Sequence, residues 1–91
     1  MTLTGEYQQI INPLGLHLRA GRHLVELANQ FESVIEIEKR GGPKINAKSI
    51  LGVLLLEGIQ GTEVRVLVTG SDSKEALKAI TELISNGFGD A

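Results

Sequence analysis

The chain has no cysteine and no tryptophan, and only one tyrosine, two phenylalanines, two prolines and two histidines. Without cysteine there is neither a disulfide framework nor thiolate chemistry, and two histidines cannot make a cluster of metal-ligand type. Three aromatic rings are too few for a base-stacking platform. The net charge of −2 comes from acidic and basic residues interspersed along the chain, so there is no basic footprint for nucleic acid. No apolar run approaches the roughly 20 residues of a membrane span. The opening "MTLTGEYQQI" also lacks the basic-then-apolar layout of a signal peptide. The expectation is a soluble, unexported, cytoplasmic protein that neither binds nucleic acid nor enters a membrane.

What is present is patterned. The 91 residues suffice for one core and not two, and the eleven glycines fall at apparent element boundaries rather than in a linker, so residues 1–91 read as a single domain. "EYQQII" (6–11), bounded by Asn-Pro, reads as a strand of poor alternation. From Arg19 to Gln30 the apolar set Ala20, Leu24, Leu27 and Ala28, followed by Phe31, has helical spacing, with Arg22, His23 and Glu26 towards solvent. "SVIEIEKR" alternates as a half-buried strand, and "KIN" is a short one. The run "AKSILGVLLLEG" is ambiguous by periodicity. Asn46 and Ser49 both favour a helix start, which predicts a short helix over about 47–55. "GTEVRVLVTG" is a strand with Val64, Val66 and Val68 on one face. In "SDSKEALKAITELISNG", Asp72 and Glu75 resemble a capping box, Ala76, Leu77, Ile80, Leu83 and Ile84 repeat at helical spacing, and Gly87 can close the helix in a left-handed turn. The order β-α-β-β-α-β-α predicts an α+β fold, one antiparallel sheet with helices on one face and water on the other.

His17 carries the chemical interest. It stands where "NPLG" gives way to the first helix, at the threshold where unpaired N–H groups and the positive end of the helix dipole favour an anion. A neutral imidazole is a nucleophile, and the positive helix end disfavours its protonated form. Arg19 could offer planar donors to phosphoryl oxygens, and Gly15 allows a sharp turn before the site. Spacing alone still favours a plainer description, a solvated turn histidine beside a surface arginine.

The segments "GLHLRA", "NAKSILGVLLL" and "GTEV", with the closing amphipathic helix, resemble over nearly the whole chain the HPr family, the histidine phosphocarriers of the bacterial phosphoenolpyruvate-dependent phosphotransferase system. The resemblance implies an open-faced sandwich, a four-stranded antiparallel sheet covered on one face by three helices. It implies that His17 accepts phosphate on Nδ1 and that Arg19 contacts it. Ala20 stands where the family usually has proline, which resembles the nitrogen-related NPr branch, as does the tail "LISNGF". Ser49 matches the serine that an ATP-dependent HPr kinase/phosphorylase modifies in many members; it is equally suited to capping a helix. Leu18, Ala20, Ile50 and Leu51 would belong to the surface on which partners dock. Glu26 and Asn29 occupy places that are basic in many members.

The resemblance therefore implies a carrier that is not itself an enzyme. Enzyme I would phosphorylate His17, and His17 would pass the group to a IIA-type protein, with regulatory output and with no metal, nucleotide or other cofactor. A carrier meeting two partners through one face is most simply a monomer. The alternative is a regulatory docking module controlled through Ser49 with His17 idle, against which the presence of both His17 and Arg19 speaks. A small-ligand-binding domain is a third reading, though no pocket is legible in the sequence.

Overall fold

The computed structural model describes residues 1–90. Its elements are β1 (Thr2–Thr4), β2 (Gln8–Gln9), α1 (Leu18–Ala28), β3 (Val34–Lys39), β4 (Lys44–Asn46), α2 (Ile50–Leu55), β5 (Glu63–Thr69), α3 (Ser73–Ser85) and a final short turn of 3-10 type over Gly87–Gly89. The valines of β5 alternate into the core as the sequence predicts: Val64, Val66 and Val68 are buried while Glu63, Arg65 and Leu67 are only partly so. The sheet is antiparallel, in the order β1-β5-β3-β4, with β2 also paired to β5. This is the expected α+β architecture.

The first strand differs from its prediction, and the pairing shows why. β1 pairs Thr4 with Leu67, and β2 pairs Gln8 with Val64. Residues 5–7 therefore lie opposite residues 65 and 66 alone, a one-residue bulge. A bulge breaks period-two alternation, which is why "EYQQII" alternates poorly and why β1 went unread. Tyr7, leaving the bulge, lies against the guanidinium groups of Arg40 and Arg65, 4.0 and 4.7 Å from the ring centre. Those arginines pair with Glu63 and Glu38, so the face of the sheet away from the helices carries charged pairs.

The helices close the other face. Ala20, Leu24 and Ala28 of α1 and Ala76, Ile80 and Ile84 of α3 form buried stripes at four-residue spacing, joined in one core with Ile35, Ile37, the β5 valines and Phe88. The ambiguous run folds as helix. It starts at Ile50, three residues later than predicted, because Ser49 caps it by accepting the Gly52 N–H at 3.1 Å. Gly21 permits α2 to pack closely on α1, since a Cβ there would lie 3.2 Å from Ile50 Cδ1 and 3.4 Å from Val53 Cγ1.

The expected capping box at Asp72 and Glu75 does not form. Asp72 makes no side-chain cap to α3; its carboxylate accepts the Glu32 N–H at 2.9 Å, the Ser33 N–H at 3.0 Å and the Ser33 hydroxyl. It thereby ties the start of α3 to the turn before β3. These bonds, first the Ser33 hydroxyl and then the Glu32 amide, hold the Asp72 carboxyl below the usual carboxylate range. A depressed folded-state value contributes stability that is present above the unfolded value and lost as pH falls through the folded one. Asp72→Asn is expected to lower the thermal midpoint at neutral pH, and the gap from wild type should narrow below roughly pH 4. Thermal melts of both proteins across the acid range check this.

Candidate functional site

The turn before α1 is built on close backbone approach. The Gly15 N–H donates to Asn12 O at 3.0 Å, and the Leu16 N–H donates to Gly58 O at 2.7 Å. Gly15 has φ +64, and a Cβ there would fall 2.3 Å from Gly58 O, so only glycine fits. The sharp turn expected at this residue is present. Leu16 anchors in the core, and the next residue, His17, becomes the N-cap of α1 with extended backbone (φ −79, ψ −177). Its carbonyl accepts the first helical bond, from the Gly21 N–H at 2.8 Å.

The imidazole of His17 is gripped at both nitrogens. Nδ1 accepts the Arg19 backbone N–H at 3.3 Å, and Nε2 lies 2.7 Å from Asp90 Oδ2. An amide N–H only donates and a carboxylate only accepts, so the proton sits on Nε2 and the Nδ1 lone pair faces the amino end of the helix. Arg19 closes the cluster, its Nε donating to Asp90 Oδ1 at 3.0 Å and its terminal nitrogen to the same oxygen. Asn12, 3 % exposed, donates from Nδ2 to Gly15 O at 2.8 Å and to Asp90 Oδ2 at 3.4 Å, while its Oδ1 has no partner. Asp90 thus collects donors from His17, Arg19 and Asn12. These, in that order of strength, hold its carboxyl down to about 2.

Asp90 was not legible as a site residue. Its negative charge against the ring opposes the helix-end potential that the sequence reading relied on. The one available signal was the turn chemistry of "NGFG", which marks a reversal after α3 without saying where the chain returns. His23 is likewise not the free solvent-facing residue expected: it is half-buried and its Nδ1 lies 2.6 Å from Phe88 O.

The predicted docking residues divide. Leu18 and Leu51 are exposed, and Ile50 is half-buried against α1. Ala20 is fully buried, which removes it from any docking surface: at this position of α1 the side chain points at the core. Leu14, Leu55 and Ile59, which the sequence did not single out, are exposed as well. Ser49 is engaged at the start of α2 and takes no part in the His17 cluster. No group of three or more His, Asp or Glu is placed to hold a metal ion among the described residues, and none of them forms a pocket.

A family model described as "PTS HPr component phosphorylation site" matches residues 7–86, almost the entire chain and all of the His17 turn. The chain belongs to the HPr family. Membership makes it a phosphocarrier of the phosphotransferase system rather than a catalyst. A phosphocarrier protein HPr of Xylella fastidiosa is 42 % identical over 86 residues, covering 93 % of this chain and 96 % of that one. A phosphocarrier protein NPr of Proteus mirabilis is 35 % identical over 79 residues, covering 87 % and 88 %. Among solved structures, an HPr of Thermoanaerobacter tengcongensis superposes with a TM-score of 0.86 at 38 % identity, covering 100 % and 98 %. A second HPr structure from that organism is a dimer, and Bacillus subtilis Crh is an intertwined dimer.

The site geometry makes a titration prediction. A 13C titration is expected to place the Asp90 carboxyl near 2, and Arg19→Ala should move it up towards the ordinary carboxylate value. The stability that Asp90 contributes is fully present above the unfolded value of roughly 3.9 and is lost as pH falls from there through about 2.

Proposed function

We propose that this chain accepts a phosphoryl group on Nδ1 of His17 from enzyme I, itself charged by phosphoenolpyruvate, and passes it to a histidine of a IIA-type protein. The observation that carries this is the double grip on the ring, which leaves the lone pair on Nδ1 and the proton on Nε2. As the Nδ1 lone pair forms its bond to phosphorus, the donor's bond to phosphorus breaks and the donor leaves with that electron pair. Positive charge develops on the ring, the Nε2 proton stays in place, and the Asp90 carboxylate lies against it, as in other carboxylate-backed histidines. The phosphoryl oxygens come to rest at the amino end of α1, where first-turn N–H groups are unpaired and the mostly exposed Arg19 can turn its planar donors onto them. Transfer onward reverses these steps, with the partners supplying the in-line alignment. No metal or nucleotide cofactor enters the scheme.

The exposed Leu18 and Leu51, with Leu14 and Leu55, are the apolar residues on which both partners dock, together with the half-buried Ile50. Residues 1–91 act as one cytoplasmic carrier domain. Ala20 in place of the family's usual proline, together with the NPr relative, supports regulatory output through a nitrogen-type IIA. The expectation of a monomer draws no support from the dimeric relatives. For Ser49, phosphorylation by an HPr kinase/phosphorylase is compatible with its capping position, because a phosphate at a helix start is electrostatically tolerated and would alter docking rather than unfold α2. A docking module with an idle His17 is disfavoured by the cluster of Asp90, Arg19 and Asn12 assembled around that ring.

Intact-mass measurement at alkaline pH, after incubation with phosphoenolpyruvate and enzyme I, is expected to show one acid-labile phosphoryl group on wild type and none on His17→Ala. If neither protein gains mass while enzyme I is charged, the carrier reading fails. Arg19→Ala should still be phosphorylated, with transfer slowed on the order of 10²-fold. With an HPr kinase/phosphorylase and ATP, wild type is expected to gain an acid-stable phosphate that Ser49→Ala does not; equal labelling of the two would remove Ser49 from the scheme.

A further inference from the structure

The carrier mechanism leaves the second histidine unused, yet His23 is bonded to the segment that delivers Asp90. It lies roughly 9 Å further along α1 than His17, on a different side of the helix. Its Nδ1 lies 2.6 Å from Phe88 O, and since a carbonyl only accepts, Nδ1–H is the donor. That carbonyl belongs to an unusual turn. Gly87, Phe88 and Gly89 have φ of +72, +61 and +69, three consecutive left-handed residues of which the middle one is not glycine. Left-handed backbone is costly for phenylalanine and persists only where surrounding contacts impose it.

Four contacts do so. The Phe88 ring is 1 % exposed and locked in the core, the Gly89 N–H donates to Asn86 Oδ1 at 2.9 Å, the Asp90 N–H donates to Gly87 O at 3.0 Å, and His23 holds the Phe88 carbonyl. The first three fix the turn to itself and to the core. The peptide joining Phe88 to Gly89 is held at both its polar atoms, its N–H by Asn86 Oδ1 and its carbonyl by His23, and the His23 bond is the one that ties it to α1, the helix whose start bears His17 and Arg19. Asp90 follows directly, its own N–H on Gly87 O, so the peptide that His23 holds is part of the turn from which the Asp90 carboxylate reaches the ring.

We propose that His23 is a positioning residue for phosphoryl transfer, setting through the Phe88 carbonyl the turn that holds Asp90 against Nε2 of His17 and the guanidinium of Arg19. The inference rests on the carrier reading, and it adds to it that two histidines of one helix share the work, one bonding to phosphorus and the other aligning the carboxylate behind it.

The test follows the Asp90 carboxyl by 13C titration in the full chain, for wild type, His23→Leu and His23→Gln. Asp90 should titrate at about 2 in wild type, move up towards the ordinary carboxylate value in His23→Leu, and return in His23→Gln, whose amide N–H can reach the same carbonyl. In transfer from charged enzyme I, His23→Leu and Asp90→Ala should each be slower by roughly tenfold, and the double variant no slower than Asp90→Ala alone. A folded His23→Leu whose Asp90 still titrates near 2, or rate losses that multiply in the double variant, would overturn the proposal. If His23→Leu does not fold, His23→Ala is measured in its place. Wild type that takes no phosphoryl group defeats the carrier reading instead, and the titration, which needs no partner, then still decides whether His23 sets Asp90.

Discussion

Every strand except β4 is hydrogen-bonded to β5, so the burial of Val64, Val66 and Val68 along one side of that strand fixes the rest of the molecule. With those three side chains inward, the register of β3 on β5 puts Ile35 and Ile37 inward too, and a slip by one residue would turn both sets out to water. The same inward face receives α1 and α3. The chain that leads into β5 includes Gly58, whose carbonyl holds the Leu16 N–H, so the turn bearing His17 takes its position from the loop that feeds the central strand.

At the site itself, one carboxylate is shared among several donors. Asp90 binds the ring of His17, the guanidinium of Arg19 and the buried amide of Asn12. In the carrier proposed above, a phosphoryl group on the ring would compete with Asp90 for Arg19, since two anions close together repel, and the loaded state would partly undo the resting arrangement.

How much of this was legible depends on whether local pattern or distant return decides the position. β5 and α3 were readable because their periodicities run undisturbed over whole elements, and His17 because a Pro/Gly turn leads straight into a helix. The run containing Ser49 was ambiguous by periodicity, and its visible cap is what marked it as helix, only its start being read three residues early. β1 was hidden because a bulge spoils alternation. Ala20 was misplaced because membership of a motif says nothing about which side of a helix a residue faces; its spacing with Leu24 and Ala28, already read as the apolar stripe, pointed to the core. Asp72 resembled a cap by spacing, and a better-placed pair of amides across the molecule took its carboxylate. Asp90 and His23 meet their partners across 73 and 65 residues of sequence, and nothing local announces a contact of that span.

The described residues enclose no pocket, and His17 stands at the surface with Leu14 and Leu18 exposed on either side of it in sequence. In the carrier proposed above, a donor and an acceptor that both reach Nδ1 would cover this same ground and exclude each other, so that the chain would serve them in turn, as a shuttle.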